Sequence, residues 1–254
     1  MTPPAIQFRH VIKNYGNKTA LQDIDLQIAP GEFFGLVGMN GAGKTTLLKC
    51  LLDFCAIDGG QISIFGVDHR STEARRPLAF LPERFLPPYY LNGSHFLKYM
   101  LQLQDIAYDR AEALAMLQSL DLDESALSKP VRDFSKGMTQ KLGLAACFLA
   151  KKQLYVLDEP MSGLDPRARA LLKIRLQQMK TAGGTLFFSS HALADVDEIC
   201  DRMAILHDGQ LRFVGTPEAC RAQFQAATLE QAYLSCIAQE SSGPDFDRPK
   251  SGKK

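Results

Sequence analysis

The chain has 254 residues, 46% of them hydrophobic and 22% charged, enough apolar material for one large α/β core or a main core with a smaller lobe. Its 29 basic and 28 acidic side chains leave a net charge of +1, which excludes a strong global field toward nucleic acid or anionic lipid. There is no run of about 18 apolar residues, and the start, MTPPAIQFRH, lacks the apolar centre of a secretory signal, so a cytoplasmic chain with no membrane span of its own is expected.

In chain order, IQFRHVIKNYG and ALQDIDLQI, between residues 6 and 28, alternate apolar and polar side chains. They predict antiparallel strands with a turn around Asn14 to Asn17. Pro30-Gly31 is a turn that feeds GEFFGLV, an apolar run that reads as a buried strand. Next comes GMNGAGKTT, with Gly38, Gly43, Lys44 and Thr45 in the fixed places of Gly-x-x-x-x-Gly-Lys-[Ser/Thr]. TLLKCLLDF after it reads as a helix. A strand, a tight glycine loop and a helix N-terminus make an anion site, because backbone N–H groups and the helix dipole converge there. The stretch Gly38, Asn40, Gly41, Ala42, Gly43, Lys44, Thr45 and Thr46 is therefore the candidate cradle for a nucleotide's phosphates. Gly41 and Gly43 allow close backbone approach. Lys44 is expected to reach the β- and γ-phosphates, and the Thr45 hydroxyl to bind Mg²⁺.

Gly59-Gly60 punctuates the next segment, QISIFG is a strand, and LAFLP at residues 78–82 is a short buried strand. From about Leu91 to Leu127, FLKYMLQLQ and RAEALAMLQSLDL carry apolar residues at helical spacing, which predicts a helical lobe. Residues 136–152 predict another helix. LYVLDEP is a buried strand that exits on Asp158 and Glu159. Two carboxylates at a buried strand exit are costly unless a cation or a reactive water uses them. In an open parallel sheet the strand carboxyl ends face the ligand crevice, so this pair and the glycine loop can meet on one nucleotide. Asp158 is the candidate Mg²⁺ ligand and Glu159 the candidate base for the attacking water.

Residues 166–180 predict a helix, TLFFSSH a strand, ALADVDEICD a helix, MAILHDGQLRFVG a hairpin, TPEACRAQF a helix start, and LEQAYL a closing helix. Residues 241–254, from SSGPDFDRPKSGKK, are polar and carry two prolines, so a disordered tail is expected. The cysteines, Cys50, Cys55, Cys147, Cys200, Cys220 and Cys236, are scattered with no C-x-x-C pair, which predicts small buried thiols in a reducing compartment.

With both motifs in place, residues 5–235 resemble the ATP-binding subunits of ABC transporters. The most specific further element is FSKGMTQK, Phe134 to Lys141, similar to the family's signature sequence at Ser135 and Gly137 and departing from its commonest letters at Phe134, Lys136 and Met138. The resemblance implies a P-loop NTPase core with a mixed sheet, an antiparallel β subdomain, and an inserted α-helical subdomain at about residues 85–150. It implies that Tyr15 stacks on adenine, that Asp165 in SGLDP lies on the loop crossing a dimer interface, and that His191 contacts the γ-phosphate. It places Glu83 where glutamine is usual, as a further ligand to Mg²⁺ or its water. The implied machine is two ATPase copies sandwiching two ATP molecules head to tail, with Ser135 and Gly137 of one copy facing the nucleotide of the other.

The implied setting is the cytoplasmic face of a membrane. There the chain would be held peripherally by a membrane-spanning permease subunit and drive export by ATP hydrolysis. RFLPPYYLNGSHFLKYM after Glu83 is the expected docking surface, since Pro87-Pro88 blocks an ordinary helix and leaves part of the set Phe85, Leu86, Tyr89, Tyr90, Phe96 and Tyr99 exposed. A soluble ABC-type ATPase acting on nucleic acid or ribosomes is the alternative. The absence of a second cassette, a long coiled coil or basic arms weighs against it, and no nucleic-acid partner is expected.

Overall fold

The computed structural model describes residues 2–238; the expected tail at 241–254 lies outside the described residues. The chain opens with β1 (Ile6–Tyr15) and β2 (Lys18–Ile28), an antiparallel hairpin running from Ile6 opposite Ile28 to Tyr15 opposite Lys18. β3 (Phe33–Val37) and α1 (Lys44–Leu51) flank the glycine loop. Then come β4 (Gly59–Ile64), β5 (Val67–Asp68), the single-turn α2 (Thr72–Arg75) and β6 (Leu78–Leu81). The helical lobe holds α3 (Gly93–Gln102), α4 (Arg110–Ser119) and α5 (Lys136–Leu149). The chain returns through β7 (Leu154–Asp158), α6 (Pro166–Thr181), β8 (Thr185–Ser190), α7 (Leu193–Ile199), β9 (Arg202–His207), β10 (Gln210–Gly215), α8 (Pro217–Gln223) and α9 (Leu229–Ala238).

Two sheets result. One is antiparallel, in the order β2-β1-β4-β5; the other has the order β10-β9-β3-β8-β7-β6 and is parallel except for its β10 edge. The central strands β3, β7 and β8 are buried at every position, as strands covered on both faces must be. Alternation decides which side chain goes where. Phe34, Leu36, Val156 and Phe187 point toward the antiparallel sheet and α1, where they join Ile6, Phe8 and Ile24. Phe33, Val37, Leu157 and Phe188 point to the opposite core with the lobe and the C-terminal helices. Phe187 joins the two sheets through tilted and edge contacts with Phe34 at 6.1 Å and Phe8 at 6.3 Å.

Several helices end earlier than their patterns predict. α1 stops at Leu51, where Asp53 turns into left-handed conformation (φ 59°), and α5 stops at Leu149, before Lys151 does the same (φ 47°). The helix predicted from ALADVDEICD is only Leu193–Ile199, because Cys200 is already extended. Gly59 and Gly60 lie inside β4 rather than before it. In the lobe, Phe96 is buried and Phe85 packs edge-on against it at 5.6 Å, so these two rings serve the lobe's own core. Leu86, Tyr89 and Tyr90 are 88%, 69% and 73% exposed, on a stretch with no helix, and Tyr99 is also exposed.

Candidate functional site: a phosphate loop beside a carboxylate pair

Register brings the two motifs together. β3 and β7 flank β8 in parallel, so the loop after Val37 and the exit of β7 open at the same edge of the sheet. Between them lies a cavity of about 500 Å³ lined by Asn40, Gly41, Gly43, Lys44, Thr45 and Thr46 from the loop and helix, by Asp158 and Glu159, and by Tyr15 and Glu83. Gly38 and the buried Ala42 are not part of this lining. Gly43 has φ 112°, a conformation side chains resist, and directly precedes Lys44 at the start of α1. No side chain caps this helix, so its first N–H groups are left for a ligand.

Lys44 is buried. Its Nζ donates to the carbonyls of Gly38 at 2.5 Å and Met39 at 3.4 Å, and lies 3.8 Å from Glu159 Oε1. Burial lowers the pKa of this ammonium, and the carboxylates of Glu159, Asp158 and Glu83 oppose that shift. Thr45 Oγ1 donates to Asp158 Oδ2 at 3.3 Å. Burial raises the Asp158 carboxyl, while hydrogen bonds from Ser189 and Thr45 hold it back.

Ser189 is the site residue that sequence reasoning missed. It sits opposite Asp158 in the β7–β8 ladder; its hydroxyl donates to Asp158 Oδ1 and accepts from the Glu159 backbone N–H at 3.0 Å. Glu159 is left-handed at φ 50°, an uncommon conformation for this residue type. The turn bond from Ser162 N to its carbonyl, at 3.0 Å, holds it there. Its carboxylate accepts from His191 Nδ1 at 2.8 Å, and the His191 ring is largely exposed, with Nε2 unengaged by this bond. Hard oxygens from Thr45 and Asp158, with Glu83 alongside, suit Mg²⁺.

Ser135, Gly137 and Asp165 are not part of this cavity. Ser135 caps α5, its Oγ accepting from Met138 N at 3.2 Å, and Asp165 caps α6 by accepting from Ala168 N at 2.9 Å. The two caps are nevertheless neighbours. A Cβ on Gly137 would stand 2.9 Å from the Gly163 carbonyl oxygen, and Lys136 Nζ donates to Ser162 Oγ at 3.2 Å. Buried Gln140 on α5 donates to the Pro160 carbonyl at 3.1 Å, which ties this helix to the turn after Glu159.

A family profile described as ABC transporter matches residues 21–162, more than half of the chain. The chain belongs to the ABC transporter ATP-binding family. It is 38% identical over 200 residues to an uncharacterized ABC transporter ATP-binding protein of Synechocystis sp., covering 78% of this chain and 56% of that protein's length. A similar Nostoc sp. protein shows 39% identity over 76% of this chain and 58% of its own length, so the match spans little more than half of these two relatives. With the Nod factor export ATP-binding protein I of Burkholderia thailandensis, identity is 33% over 249 residues, covering 96% of this chain and 79% of that one. Among solved structures, an ATP-binding subunit of an ABC transporter superposes with a TM-score of 0.84 at 31% identity, covering 92% of this chain and 99% of that one. A dimeric ATP-binding cassette in a post-hydrolysis state with ADP and Pi shares the fold, with a TM-score of 0.77 at 21% identity over 83% of this chain and 98% of its own. The ABC-type P-loop fold thus accounts for the mixed sheet, the antiparallel sheet and the helical lobe together.

Proposed function

We propose that this protein is the ATP-hydrolysing subunit of an ABC exporter and works through a separate membrane-spanning subunit. The observation that carries the reading is the convergence of Lys44 and Thr45 with Asp158 and Glu159, from two separate chain segments, on one cavity beneath an uncapped helix start. In this reading Tyr15 stacks on the adenine, the backbone N–H groups of residues 40–46 hold the phosphates, and Lys44 neutralises their charge. Thr45 and Asp158 would hold Mg²⁺ with Glu83 alongside, and the ion would supply charge neutralisation at the β- and γ-phosphates. Glu159 takes a proton from the attacking water, and the His191 bond fixes the direction of its carboxylate.

The exposed α5 start, absent from the cavity, is matched to a nucleotide held by a second copy. Two copies would close head to tail with Ser135 and Gly137 of each completing the other's site. Among the described residues no helix is long and apolar enough to cross a membrane, and in this reading force passes to another chain. Leu86, Tyr89 and Tyr90 are the proposed contact, on the cytoplasmic side. The similarity to Nod factor export proteins favours export.

The test is capture of tagged protein from native membranes in mild detergent, with ATP turnover measured on the captured material. A stoichiometric multi-span membrane protein and vanadate-sensitive turnover are expected. A soluble or ribosomal partner alone would overturn the transporter assignment.

A further inference from the structure

The turn that ends α1 folds the chain back over the helix. Leu52 closes it, Asp53 is left-handed, and the N–H groups of Asp53 and Phe54 donate to the carbonyls of Cys50 at 3.2 Å and Lys49 at 2.9 Å. This bond pair is the helix stop normally built on glycine. It sets Cys55 against the last helical turn, with its Sγ 3.5 Å from Sγ of Cys50. Both thiols are free; Cys50 is fully buried and Cys55 half-buried. A disulfide needs its sulfurs at about 2.05 Å, so closure requires a movement of about 1.5 Å.

The segment after Cys55 is bonded to the strand end that reaches the nucleotide cavity. Asp58 accepts from the Asn14 backbone N–H at 2.5 Å and from Lys13 Nζ at 3.5 Å, and its own N–H donates to the Ile12 carbonyl at 2.8 Å. Tyr15 follows Asn14 directly and lines the cavity, with Lys13 Nζ 5.2 Å from its ring centroid. Cys55 raises the pKa of the Tyr15 hydroxyl, and Thr46 lowers it.

We propose that Cys50 and Cys55 form a reversible oxidation site, closed by exchange with a low-molecular-weight disulfide, and that closure weakens nucleotide binding by pulling the segment from Cys55 to Asp58 against the strand end that carries Tyr15. The second half rests on the ATP-site reading above; the first does not. Cys55, the more accessible thiol, gives up its proton to solvent and attacks one sulfur of the oxidant. The oxidant's S–S bond breaks and one thiolate leaves. Cys50 then gives up its proton, attacks the Cys55 sulfur of the mixed disulfide and expels the second thiolate. Two protein thiols are oxidised, one disulfide is reduced to two thiols, and the two released protons return to the leaving thiolates. Burial pushes the Cys50 thiol up to about 12, which leaves the first attack to Cys55.

The full chain is equilibrated with glutathione disulfide and glutathione at graded ratios, then alkylated and digested with trypsin. Both cysteines fall in the peptide Cys50 to Arg70. This peptide is expected unalkylated and two hydrogens lighter. Affinity for a fluorescent ATP analogue is expected to fall about three- to tenfold, the scale of one lost hydrogen bond, and to return on reduction. Cys55→Ser is expected to show neither change. Full alkylation of both cysteines at every ratio would overturn the site. Disulfide formation with unchanged affinity, or an equal loss in Cys55→Ser, would overturn its effect on the nucleotide. If the reduced protein fails to bind the analogue, the ATP-site reading and the effect on affinity fall together, while the peptide map still decides the oxidation site.

Discussion

The phosphate-loop face and the α5 face differ in what one copy of the chain supplies. Around Lys44 the site is closed on itself: the lysine is buried against two carbonyls, Asp158 receives two hydroxyls, and Glu159 is tied to His191. Around Ser135 the local structure is complete and lies outside that cavity; its hydroxyl caps its own helix, whose start rests on the Ser162-Gly163 turn. One face is assembled by sheet register, the other by a helix cap on an inserted lobe. In the proposed reading, binding is built within one fold while turnover waits for a second surface.

The largest break in that comparison is Glu159→Gln. Turnover is expected to fall by about 10²–10⁴-fold, the usual contribution of a positioned base, with nucleotide affinity retained. Single-turnover hydrolysis and equilibrium binding on the same preparation check it; loss of binding as well would mean that Glu159 works mainly as a partner for Lys44. His191→Ala comes next. It removes the 2.8 Å bond that orients Glu159 and is expected to cost about 10²-fold in turnover. Because the ring is largely exposed, the melting temperature is expected to stay near that of the parent.

Ser135→Ala tests the other face. It removes the α5 cap, worth about 1 kcal/mol in a denaturant titration. Nucleotide affinity of a single copy is expected to hold, and ATP-dependent pairing, followed by sedimentation, to weaken. Equal pairing in the variant would detach Ser135 from the proposed second-copy contact. Tyr89→Ala and Tyr90→Ala are expected to change stability by less than about 0.5 kcal/mol, since both rings are exposed, yet to reduce capture of the membrane subunit.

Much of this was legible in the sequence because it is local. The glycine loop, its flanking strand and helix, and the acidic pair after LYVL announce themselves within a few residues. Tyr15 and Glu83 were legible only through family resemblance, and both line the cavity. Ser189 was not legible: a serine at a strand end carries no pattern, and its role comes from standing opposite Asp158 in the ladder. The Cys50–Cys55 contact was hidden for a related reason. Its helix stop uses Asp53 where glycine is the usual signal, so the chain reversal left no mark. Phe85 and Phe96 were grouped with the exposed tyrosines by proximity in sequence, whereas helix phase sends Phe96 inward.

The smallest effect separates the cost of the site from its use. Burial raises the Asp158 carboxyl above its ordinary value of 3.8, so over the interval up to the raised value the folded, nucleotide-free protein holds a proton that the unfolded chain has lost. Its contribution to stability is therefore full below 3.8 and declines as pH rises through the folded value. Acids with lowered values, such as Asp58, Asp68 and Asp165, give the opposite slope and would mask it in the parent alone. The difference between parent and Asp158→Asn isolates it: the amide can still accept from Ser189 and meet Thr45, but it does not titrate. The variant is expected to gain on the parent as pH rises from acid toward neutral, in unfolding titrations without nucleotide. A constant difference across that range would show that Asp158 is not held at a cost, and that the cavity is organised for its carboxylate even before a ligand arrives.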